Sequence, residues 1–467
     1  MSTYPATRLL HQAHALEQLS PHLDQLSWSQ ERLRQHRQQR LRRLLELARQ
    51  RSPWHRQRLA HLDLERLDES QLGAIPAMTK DELMAHFDEI VTAPQLTLRR
   101  VEDHLGSLQS DAYLLDRYHA VASGGSSGRR GVYVYDWDGW VGWYLTVMRR
   151  VLLALRADRA TRSPAPGEQP DTPIVAAVVM GERATHVSSA AAQTFRELSS
   201  VVWNRVSVLA PWSEQLAKLA QLQPQLLATY PSFLRQLLLA QERGELRIAP
   251  RLVLCSAEPL LASVRAEVER VWGCPVLNCW ASSEAGGMGV GCGQGSGLHL
   301  SDDTLLIEPV DREGRPVPAG VRSSKVYVTN LFNDALPLIR FELSDELTIA
   351  EQPCPCGSAH RLAADIEGRL DDSFEYPGLR PVHPQLFRSR LGRERQLIEY
   401  QVRQLPRGVD VNLQLLAPAD LEQIRADLIL ELTQAGLDQP QVIVRSGQAF
   451  ERTVLGKLKR FIPLPEA

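Results

Sequence analysis

The chain has 467 residues, and its 53 basic and 55 acidic side chains leave a formal net charge of −2. This length suffices for two or three domains with a buried core, and the near balance of charge gives no case for nucleic acid or an anionic membrane as a partner. No apolar run reaches the ~18 residues of a membrane helix, no signal peptide opens the chain, and the cysteines are irregularly spaced, so we expect a cytoplasmic protein.

Residues 1–70 are predicted to form a helical lead-in. Leu41 and Leu45 belong to a leucine stripe at helical spacing with arginines between its members. We interpret this helix as scaffold with a solvated arginine face, since such faces are common on structural helices. Thr79 and Glu82 have the spacing of a capping box, which predicts a further helix that begins after Thr79.

The central feature of the chain is the glycine- and serine-rich stretch ASGGSSGRRG, residues 122–131. Its interleaved glycines and hydroxyl side chains are Ser123, Gly124, Gly125, Ser126, Ser127 and Gly128. Backbone N–H groups and hydroxyls in such a loop can surround an anion, and Arg129 and Arg130 add fixed positive charge that suits a polyphosphate. The same composition is typical of a flexible linker, and the Gly-Lys-Ser/Thr ending of a P-loop is missing.

The glycine-rich loop is placed between a helical region and the aromatic run YVYDWDGWVGWY. That run leads into VGWYLTVMRRVLLALRA, which is predicted to be a buried helix. Residues 158–172 are rich in proline and polar side chains, so we expect an exposed loop.

Between residues 173 and 345, short apolar runs of strand length alternate with amphipathic helical stretches. The strand-like runs are PIVAAVVMG, RLVLCS and CPVLNCW, and the helical stretches are SEQLAKLAQL, SFLRQLLLAQERG and LLASVRAEVERVWG. This alternation predicts an α/β sheet, and ligands of such sheets bind beyond the carboxyl ends of the strands.

Polar segments follow two of these predicted strands. They are Ser256-Ala257-Glu258 and Trp280-Ala281-Ser282-Ser283-Glu284. The second segment combines a large aromatic ring, two hydroxyls and a carboxylate, which are the groups needed to stack on a base, bind a phosphate and hold a hard cation. Further on, Asp345 ends a strand-like run, and Arg369 lies beside Asp371 and Asp372 near a predicted domain boundary.

Residues 373–467 are predicted to form a small α+β unit. Its predicted strands are IEYQVRQL, VDVNLQLLA and QVIVRS, and its predicted helix is DLEQIRADLILELTQAG. The final basic loop RTVLGKLKRFI carries Gly456 and Lys457.

Taken together, these segments resemble the adenylate-forming (acyl-CoA synthetase) superfamily, specifically its phenylacetate–CoA ligase-like branch, from about residue 70 to the end. The glycine-rich loop is similar to the phosphate loop of that family. The segment 280–284 lies where the family has an aromatic-Gly-x-Thr-Glu element, and the segment 339–345 lies where it has an Arg-x-x-Gly-Asp element. The segment 368–372 matches the family's hinge motif, and Gly456-Lys457 corresponds to its C-terminal catalytic lysine.

The resemblance implies an α/β fold with a large multi-sheet N-terminal adenylation domain, residues 1–370, and a small mobile C-terminal α+β domain, residues 371–467. It also implies that a carboxylic acid attacks ATP to give an acyl-adenylate and pyrophosphate, and that the acyl group then passes to a thiol, most often that of CoA, with release of AMP. The implied cofactors are ATP and Mg²⁺.

Two other functions stay open at this point. An adenylating enzyme could deliver the acyl group to a carrier-protein thiol or directly to an amine. A catalytically silent nucleotide-binding homologue is the other alternative, although the joint presence of Glu284, Asp345, Arg369 and Lys457 argues against it. We expect no nucleic acid or membrane partner, and a homodimer is left open.

The resemblance also implies a role for each matching residue. The β- and γ-phosphates would be held by the glycine-rich loop through Ser123, Gly124, Gly125, Ser126, Ser127, Gly128 and Arg129. Trp280 would stack on adenine, Asp345 would accept hydrogen bonds from the ribose hydroxyls, Arg369 would reach the sugar or phosphate, and the nucleotide would also contact Ser256, Ala257 and Glu258. Ser283 would donate to the α-phosphate, Glu284 would bind Mg²⁺, Asp371 would be the hinge, and Lys457 would be the catalytic lysine.

The chain departs from the family pattern at a few of these positions. Arg129-Arg130 replaces the usual Lys-Pro, Ala281 replaces a glycine, and Ser283 replaces a threonine. Arg129 and Arg130 keep positive charge and Ser283 keeps a hydroxyl group, so we expect adenylation activity to be retained. The methyl group of Ala281 narrows the space expected for the acyl chain.

The acyl pocket is the least marked part of the predicted site. Its predicted walls are Tyr230, Pro231, Ser232, Ala281 and the aromatic side chains of residues 133–144. Such walls favour an aryl or other compact apolar acid, although core packing explains the same residues nearly as well.

Cysteine and histidine spacing points to a metal site. Cys292 and His299 lie in GCGQGSGLH, and Cys354 and Cys356 lie in CPCG. Three sulfurs and an imidazole form a tetrahedral zinc set, which would be structural because four protein ligands leave no open position. His360 is an alternative fourth ligand, and incidental free thiols are the alternative to a metal. Ordinary packing explains the cysteines at positions 255, 274 and 279.

Overall fold

The computed structural model describes residues 4–123, 131–161, 172–180, 184–196, 198, 201–208, 210–295, 297–364, 366, 374–379, 382, 384–391, 394, 396–452 and 458–464. Its helices and strands confirm the expected α/β class, with several sheets in a large unit and a smaller C-terminal α+β unit. Among these residues, no helix combines the length and the apolar character needed to cross a membrane.

The helices and strands have the following bounds. The helices are α1 (Tyr4–Asp24), α2 (Gln30–Arg51), α3 (Pro53–Arg58), α4 (Lys80–Ala85), α5 (Phe87–Ile90), α6 (Leu98–Ser107), α7 (Trp137–Thr161), α8 (Val187–Thr194), α9 (Trp212–Leu222), α10 (Pro231–Glu242), α11 (Ala262–Trp272), α12 (Gln385–Leu391) and α13 (Leu421–Gln434). The strands are β1 (His119–Ala122), β2 (Val132–Tyr135), β3 (Ile174–Met180), β4 (Val201–Ser207), β5 (Leu226–Thr229), β6 (Leu252–Ser256), β7 (Val276–Ser282), β8 (Gly286–Val290), β9 (Leu298–Leu300), β10 (Leu305–Val310), β11 (Lys325–Asn330), β12 (Phe341–Leu343), β13 (Leu362–Ala363), β14 (Leu397–Leu405), β15 (Gly408–Leu415), β16 (Gln441–Ser446) and β17 (Phe461–Ile462).

The central sheet has the strand order β13-β9-β8-β7-β6-β5-β3-β4. The five strands from β7 to β4 are parallel to one another. Beyond β7, each of the strands β8, β9 and β13 is antiparallel to the strand before it in the sheet. Successive residues of the parallel strands pack into two separate core clusters, one on each face of the sheet, which is why these strands are continuous apolar runs in the sequence. The parallel arrangement brings the carboxyl ends of β5, β6 and β7 to one edge.

The N-terminal region contains the helices α1, α2 and α3, and the capping box predicted at Thr79 is present. The leucine stripe of α2 is buried in a small core cluster that also contains apolar residues between positions 59 and 75 and Leu306, Leu331 and Ile339 from the large unit. At the start of α4, Glu82 N donates to Thr79 Oγ1 at 3.2 Å, and Thr79 N donates to Glu82 Oε2 at 2.8 Å. Both exchanges satisfy backbone donors that the first helical turn leaves unpaired.

Two local expectations are wrong. The glycine-rich loop does not follow a helix directly, because β1 and β2 form an antiparallel hairpin on either side of it. The first residues of the stretch 158–172, expected to be a loop, continue α7 to Thr161, since this arginine- and alanine-rich sequence keeps good helix formers beyond the apolar run. Residues 162–171 of that expected loop lie outside the described residues.

The C-terminal α+β unit has a sheet of order β16-β15-β14-β17 with α13 packed on it. A separate core cluster fills this unit, with Phe374, Phe387 and Phe461 among its members. Phe461 and Ile462 form a short strand in the stretch expected to be a loop, because they pair with β14. The expected boundary between residues 370 and 371 falls outside the described residues and stays a prediction.

Candidate functional site

The glycine-rich loop is closed at its base by a narrow neck. Ser123 N donates to Gly131 O at 2.9 Å, and Gly131 N donates to Ser123 Oγ at 2.9 Å. Ser123 is therefore part of the neck. The loop residues Gly124, Gly125, Ser126, Ser127, Gly128 and Arg129, for which anion binding was predicted, lie outside the described residues.

Tyr133 links this neck to Glu284. Its Oη donates to Glu284 Oε1 at 2.6 Å, although the two residues lie on β2 and just beyond β7. A Cβ atom on Gly131 would collide with Tyr133 Oη, so the backbone of the neck approaches the Tyr133–Glu284 pair as closely as glycine allows. The structure thus brings together the base of the predicted anion loop and the predicted magnesium ligand.

The turn that carries Glu284 is held by three side chains from three different elements. Trp143 Nε1 of α7 donates to Ser282 O at 3.0 Å, Tyr135 Oη of β2 donates to the next carbonyl, that of Ser283, and Asn330 Nδ2 of β11 donates to Glu284 O at 3.1 Å. Each successive carbonyl of the turn therefore has its own donor. This fixes the backbone from which the Ser283 hydroxyl and the Glu284 carboxylate project.

The close approach of α7 to the sheet depends on glycines that follow this turn. A Cβ atom on Gly287 would lie 2.8 Å from the backbone carbonyl of Thr146, so only glycine fits against the helix. Gly287 N instead donates to Thr146 Oγ1 at 2.9 Å. This contact holds α7 against the sheet at Thr146, one helical turn beyond Trp143, so the indole of Trp143 reaches the chain turn that carries Glu284.

Burial and charge keep the two tyrosines of the site protonated. Burial first, and then the negative charge of Glu284, raise the pKa values of Tyr133 and Tyr135 well above the ordinary value. Both phenols therefore remain hydrogen-bond donors at physiological pH. Glu284 is itself buried, and its second oxygen, Oε2, accepts no hydrogen bond from the residues that the structure describes.

The segment before Asp345 joins the same assembly. The ring of Phe341, on β12, meets the ring of Tyr133 edge-on with 6.5 Å between the centroids. Asn330, which anchors Glu284, also binds Leu338 O through its backbone N–H at 3.0 Å. Asp345 is buried two residues beyond β12.

Some predicted walls of the acyl pocket share the larger core cluster with Trp280, whereas Tyr230 lies in another cluster. Trp280 lies on β7 and is buried in the larger core cluster, where its indole Nε1 has no hydrogen-bond partner among the described residues. Ala281 packs against this larger cluster, whereas Tyr230 belongs to the smaller cluster beneath α10. Pro231 begins α10. The structure therefore does not bring the predicted pocket residues into one cluster.

Glu258 uses both carboxylate oxygens within the protein. Ser232 N, in the first turn of α10, donates to Glu258 Oε2 at 3.0 Å, and Leu458 N donates to Glu258 Oε1 at 3.0 Å. Ala257 has the left-handed φ of 69°, which turns the chain sharply between Ser256, the last residue of β6, and Glu258.

The four predicted metal ligands come together at the edge of the central sheet. The ligand atoms of Cys292, His299, Cys354 and Cys356 all lie within 4.8 Å of one another. Cys292 Sγ is 3.6 Å from Cys354 Sγ, and Cys356 Sγ is 3.2 Å from His299 Nε2. His299 Nδ1 faces His360 O at 3.4 Å, which orients the ring with Nε2 toward the sulfurs.

The surroundings of this cluster suit a divalent cation. Burial lowers the pKa of His299 to about 4, so its imidazole is neutral and keeps a free lone pair. Three thiolates and a divalent cation carry a net charge of −1, and the buried guanidinium of Arg150 lies close enough to Cys356 and Cys292 to balance it. A neutral imidazole and a positive charge that would offset the excess charge of three thiolates are therefore compatible with a bound divalent cation.

His360 is not the fourth member of the cluster. Its Nδ1 faces Leu300 O at 2.9 Å, and its Nε2 faces Gln25 O at 3.1 Å. Both ring nitrogens are thus directed at backbone carbonyls, which resolves the choice that the sequence left open between His299 and His360.

Three further predicted site residues lie outside the described residues: Arg369, Asp371 and Lys457.

The partners of Glu284 were not predicted from the sequence. Tyr133 was named only as one wall of an acyl pocket, and no signal in the sequence pointed to Asn330.

Comparison with known proteins shows limited sequence similarity and extensive structural similarity. No family model matches the chain. Phenylacetate-coenzyme A ligase from Thermus thermophilus is 28% identical over an alignment of 179 residues, and the alignment covers 36% of this chain and 39% of that protein. The chain therefore matches well under half the length of this curated relative.

The structural similarity extends over nearly the whole chain. 2-Hydroxyisobutyryl-CoA ligase in the postadenylation state, in complex with R3-HIB-AMP, matches with a TM-score of 0.71 and 18% identity over 94% of this chain and 91% of that chain. The same ligase with 2-HIB-AMP and CoA in the thioesterification state matches with a TM-score of 0.57 and 17% identity, again over 94% of this chain and 91% of that chain. ATP-bound MatB from Rhodopseudomonas palustris matches with a TM-score of 0.51 and 17% identity over 73% of this chain and 66% of that chain.

Proposed function

Because the chain has the fold of the adenylate-forming CoA ligases, we propose that it is an ATP-dependent ligase that activates a carboxylic acid as an acyl-adenylate and transfers the acyl group to CoA. One observation carries this proposal. The neck of the glycine-rich loop, the Tyr133–Glu284 pair and the segment that ends at Asp345 are joined by direct contacts. These are the elements that the sequence associates with phosphates, magnesium and ribose.

The glycine-rich loop and Glu284 would act on the polyphosphate. Glu284 offers one carboxylate oxygen that the described protein leaves open, while Tyr133 holds the other and so fixes the orientation of the group. A single carboxylate together with phosphate oxygens is a typical ligand set for Mg²⁺, so the residues fit this ion. Bound Mg²⁺ would neutralise phosphate charge. The Ser283 hydroxyl projects from the same fixed turn and would donate to the α-phosphate.

The remaining residues would bind the nucleoside and promote the reaction. Asp345 would accept hydrogen bonds from the ribose, Trp280 would contact adenine, and Arg369 would reach the sugar or phosphate. The substrate carboxylate attacks the α-phosphorus, a P–O bond forms, and pyrophosphate leaves with the electrons of the broken bond. Lys457 would stabilise the charge that develops between these groups. The CoA thiolate then attacks the acyl carbon, and AMP leaves.

An acid-dependent exchange assay tests this function. ATP–pyrophosphate exchange is measured over a panel of aryl and compact branched acids, and thioester formation is measured with CoA. We expect exchange with at least one acid and a CoA thioester of the same acid. Exchange without any CoA product would instead favour a carrier-protein thiol or an amine as acceptor, and no exchange with any acid would favour a silent homologue. The cytoplasmic location and a homodimer stay predictions.

We further propose that Cys292, Cys354, Cys356 and His299 hold a structural zinc ion. The mutual distances of their ligand atoms, the orientation of His299 and the compensating charge of Arg150 support it. Four protein ligands leave no open position for a substrate, so the ion would have no part in the reaction. Its ligands come from the end of β8, from β9 and from the loop before β13, so it would fasten that loop to the edge of the sheet.

Zinc loss should therefore lower stability. We expect about one zinc ion per chain by elemental analysis, and a fall in Tm on the order of 5 °C in Cys354→Ser or after treatment with a strong chelator, because bound metal stabilises only the folded state. Cys274→Ala is the matched control, since Cys274 is buried outside the cluster; this variant should retain its zinc. Zinc-free protein with an unchanged Tm would contradict this assignment.

A further inference from the structure

We propose that Asn333 is a positioning residue for the cation site: it holds strand β2 so that Tyr133 keeps the Glu284 carboxylate oriented toward the metal ion. This inference rests on the proposed function and deepens it. The observation behind it is that one short segment after β11, residues 330–333, binds both halves of the site through two buried asparagine side chains.

The side chain of Asn333 is hydrogen-bonded through both ends of its amide. Its Nδ2 donates to Val134 O at 3.0 Å, and its Oδ1 accepts from Ala335 N at 3.2 Å. Because one partner is a carbonyl and the other is an N–H, only this orientation of the amide satisfies both. An ionised aspartate of the same size could not make the first bond, since a carboxylate only accepts. The position therefore uses both functions of an asparagine.

Val134, which Asn333 binds, lies on β2 between Tyr133 and Tyr135. Tyr133 Oη donates to Glu284 Oε1 at 2.6 Å, so the place of β2 determines where this phenol meets the carboxylate. Among the described strands, β2 pairs with β1 alone, and Asn333 adds a second hold on its backbone. Asn333 thus acts on Glu284 through the strand that carries its hydrogen-bond donor.

The same segment holds the other half of the site. Asn330 Nδ2 donates to Glu284 O at 3.1 Å, and Asn330 Oδ1 accepts from Asn333 N at 3.2 Å. The two asparagines are therefore joined directly, with one bound to the turn of Glu284 and the other bound to β2. Together they fix the distance between the backbone of Glu284 and the backbone of Tyr133.

The helix α7 supports this segment from behind. A Cβ atom on Gly142 would lie 2.8 Å from the ring of Phe332, and a Cβ atom on Gly139 would lie 3.2 Å from Asn333 Oδ1. The two glycines are three residues apart and so share one face of the helix, which lets the segment pack closely against it. Asn333 is 1% exposed, so a carbonyl that loses its amide donor is left without a partner inside the protein.

The test is a double-mutant cycle of Asn333→Ser and Tyr133→Phe. Its readout is the affinity for Mn²⁺ in the presence of a non-hydrolysable ATP analogue, measured by electron paramagnetic resonance of the free ion. Serine can still accept from Ala335 N, as hydroxyls do in such turns, but it is too short to donate to Val134 O. The variant therefore removes the hold on β2 and keeps the local turn.

We expect each single variant to weaken Mn²⁺ binding by about fivefold, as the loss of one hydrogen bond predicts. The double variant should also lose about fivefold, rather than the about 25-fold of independent effects, because both changes release the same carboxylate. Asn204→Ser is the matched control. Asn204 lies on β4 and donates from Nδ2 to Ala176 O at 3.3 Å, outside the site, so this variant should bind Mn²⁺ as the wild type does.

Three results would overturn the inference. They are wild-type affinity in Asn333→Ser, an about 25-fold loss in the double variant, and an equal loss in Asn204→Ser; the last two would make Asn333 a general support of the fold. If Asn333→Ser fails to fold, Asn333→Asp takes its place in the cycle with the same expected results, because it keeps the size of the side chain and the acceptor for Ala335 N.

Failure of the proposed function is recognised separately. A wild-type protein that binds Mn²⁺ with the analogue but shows no acid-dependent exchange would refute the acid ligase, while the cycle would still decide the role of Asn333. A wild-type protein that binds no Mn²⁺ with the analogue would refute the cation site and this inference with it.

Discussion

Glu284→Gln is expected to lower the rate of carboxylate-dependent ATP–pyrophosphate exchange by about 100-fold or more, with a raised requirement for Mg²⁺. The amide keeps the shape of the side chain and can still accept the hydrogen bond from Tyr133. It lacks the negative charge, and its nitrogen replaces one of the two carboxylate oxygens with a donor that cannot bind a cation. Exchange rates over a range of Mg²⁺ concentrations measure this effect, with Tm as the check that the variant is folded.

Tyr133→Phe is the matched control for this prediction. It leaves the carboxylate charge in place and removes only the hydroxyl that orients it. Loss of one hydrogen bond costs about 1 kcal/mol, so we expect the exchange rate to fall by about fivefold. The Mg²⁺ concentration required should stay within the same order of magnitude. Full exchange activity in Glu284→Gln, with the same Mg²⁺ dependence as the wild type, would contradict the assignment of Glu284.

Lys457→Ala is expected to reduce the exchange rate by at least about 100-fold, because a preorganised cation opposite developing negative charge contributes that much to a rate. The same variant should convert a supplied acyl-adenylate and CoA to the thioester at nearly the wild-type rate. The two half-reactions are measured separately, by exchange and by thioester formation from the purified intermediate.

Lys459→Ala provides the control for charge in the same loop region. The ammonium of Lys459 is already paired with Glu451, so its removal should leave both half-reactions nearly unchanged. Equal loss of exchange and thioester formation in Lys457→Ala would show that the lysine supports the fold or both steps, and would refute its restriction to adenylation.

The sequence predicted the central sheet well because burial on both faces leaves a clear pattern. Continuous apolar runs became β3, β6 and β7, and the 3.6-residue stripes between them became α9, α10 and α11. The β1–β2 hairpin was missed. Its strands are four residues long, and the aromatic run that contains β2 continues directly into α7, so no change of periodicity marks the end of the strand.

The site was predictable where chemistry is local and unpredictable where it depends on tertiary contact. The four candidate metal ligands were predicted because cysteine pairs and a nearby histidine have few other uses in such spacing, yet only the ring contacts of His299 and His360 decide which histidine joins the cluster. Glu284 was identified from its own segment, but its partner Tyr133 lies 151 residues earlier. Likewise, Glu258 was predicted to face a nucleotide from its position after β6. Its hydrogen bond from Leu458 was missed because the two residues are 200 positions apart in the sequence.

The most direct test of the nucleotide site is a crystal structure with a non-hydrolysable ATP analogue and Mn²⁺, located by anomalous scattering. We expect the manganese peak at the Glu284 carboxylate and the polyphosphate over the neck formed by Ser123 and Gly131. A nucleotide bound elsewhere, with Glu284 contacting only Tyr133, would contradict the site.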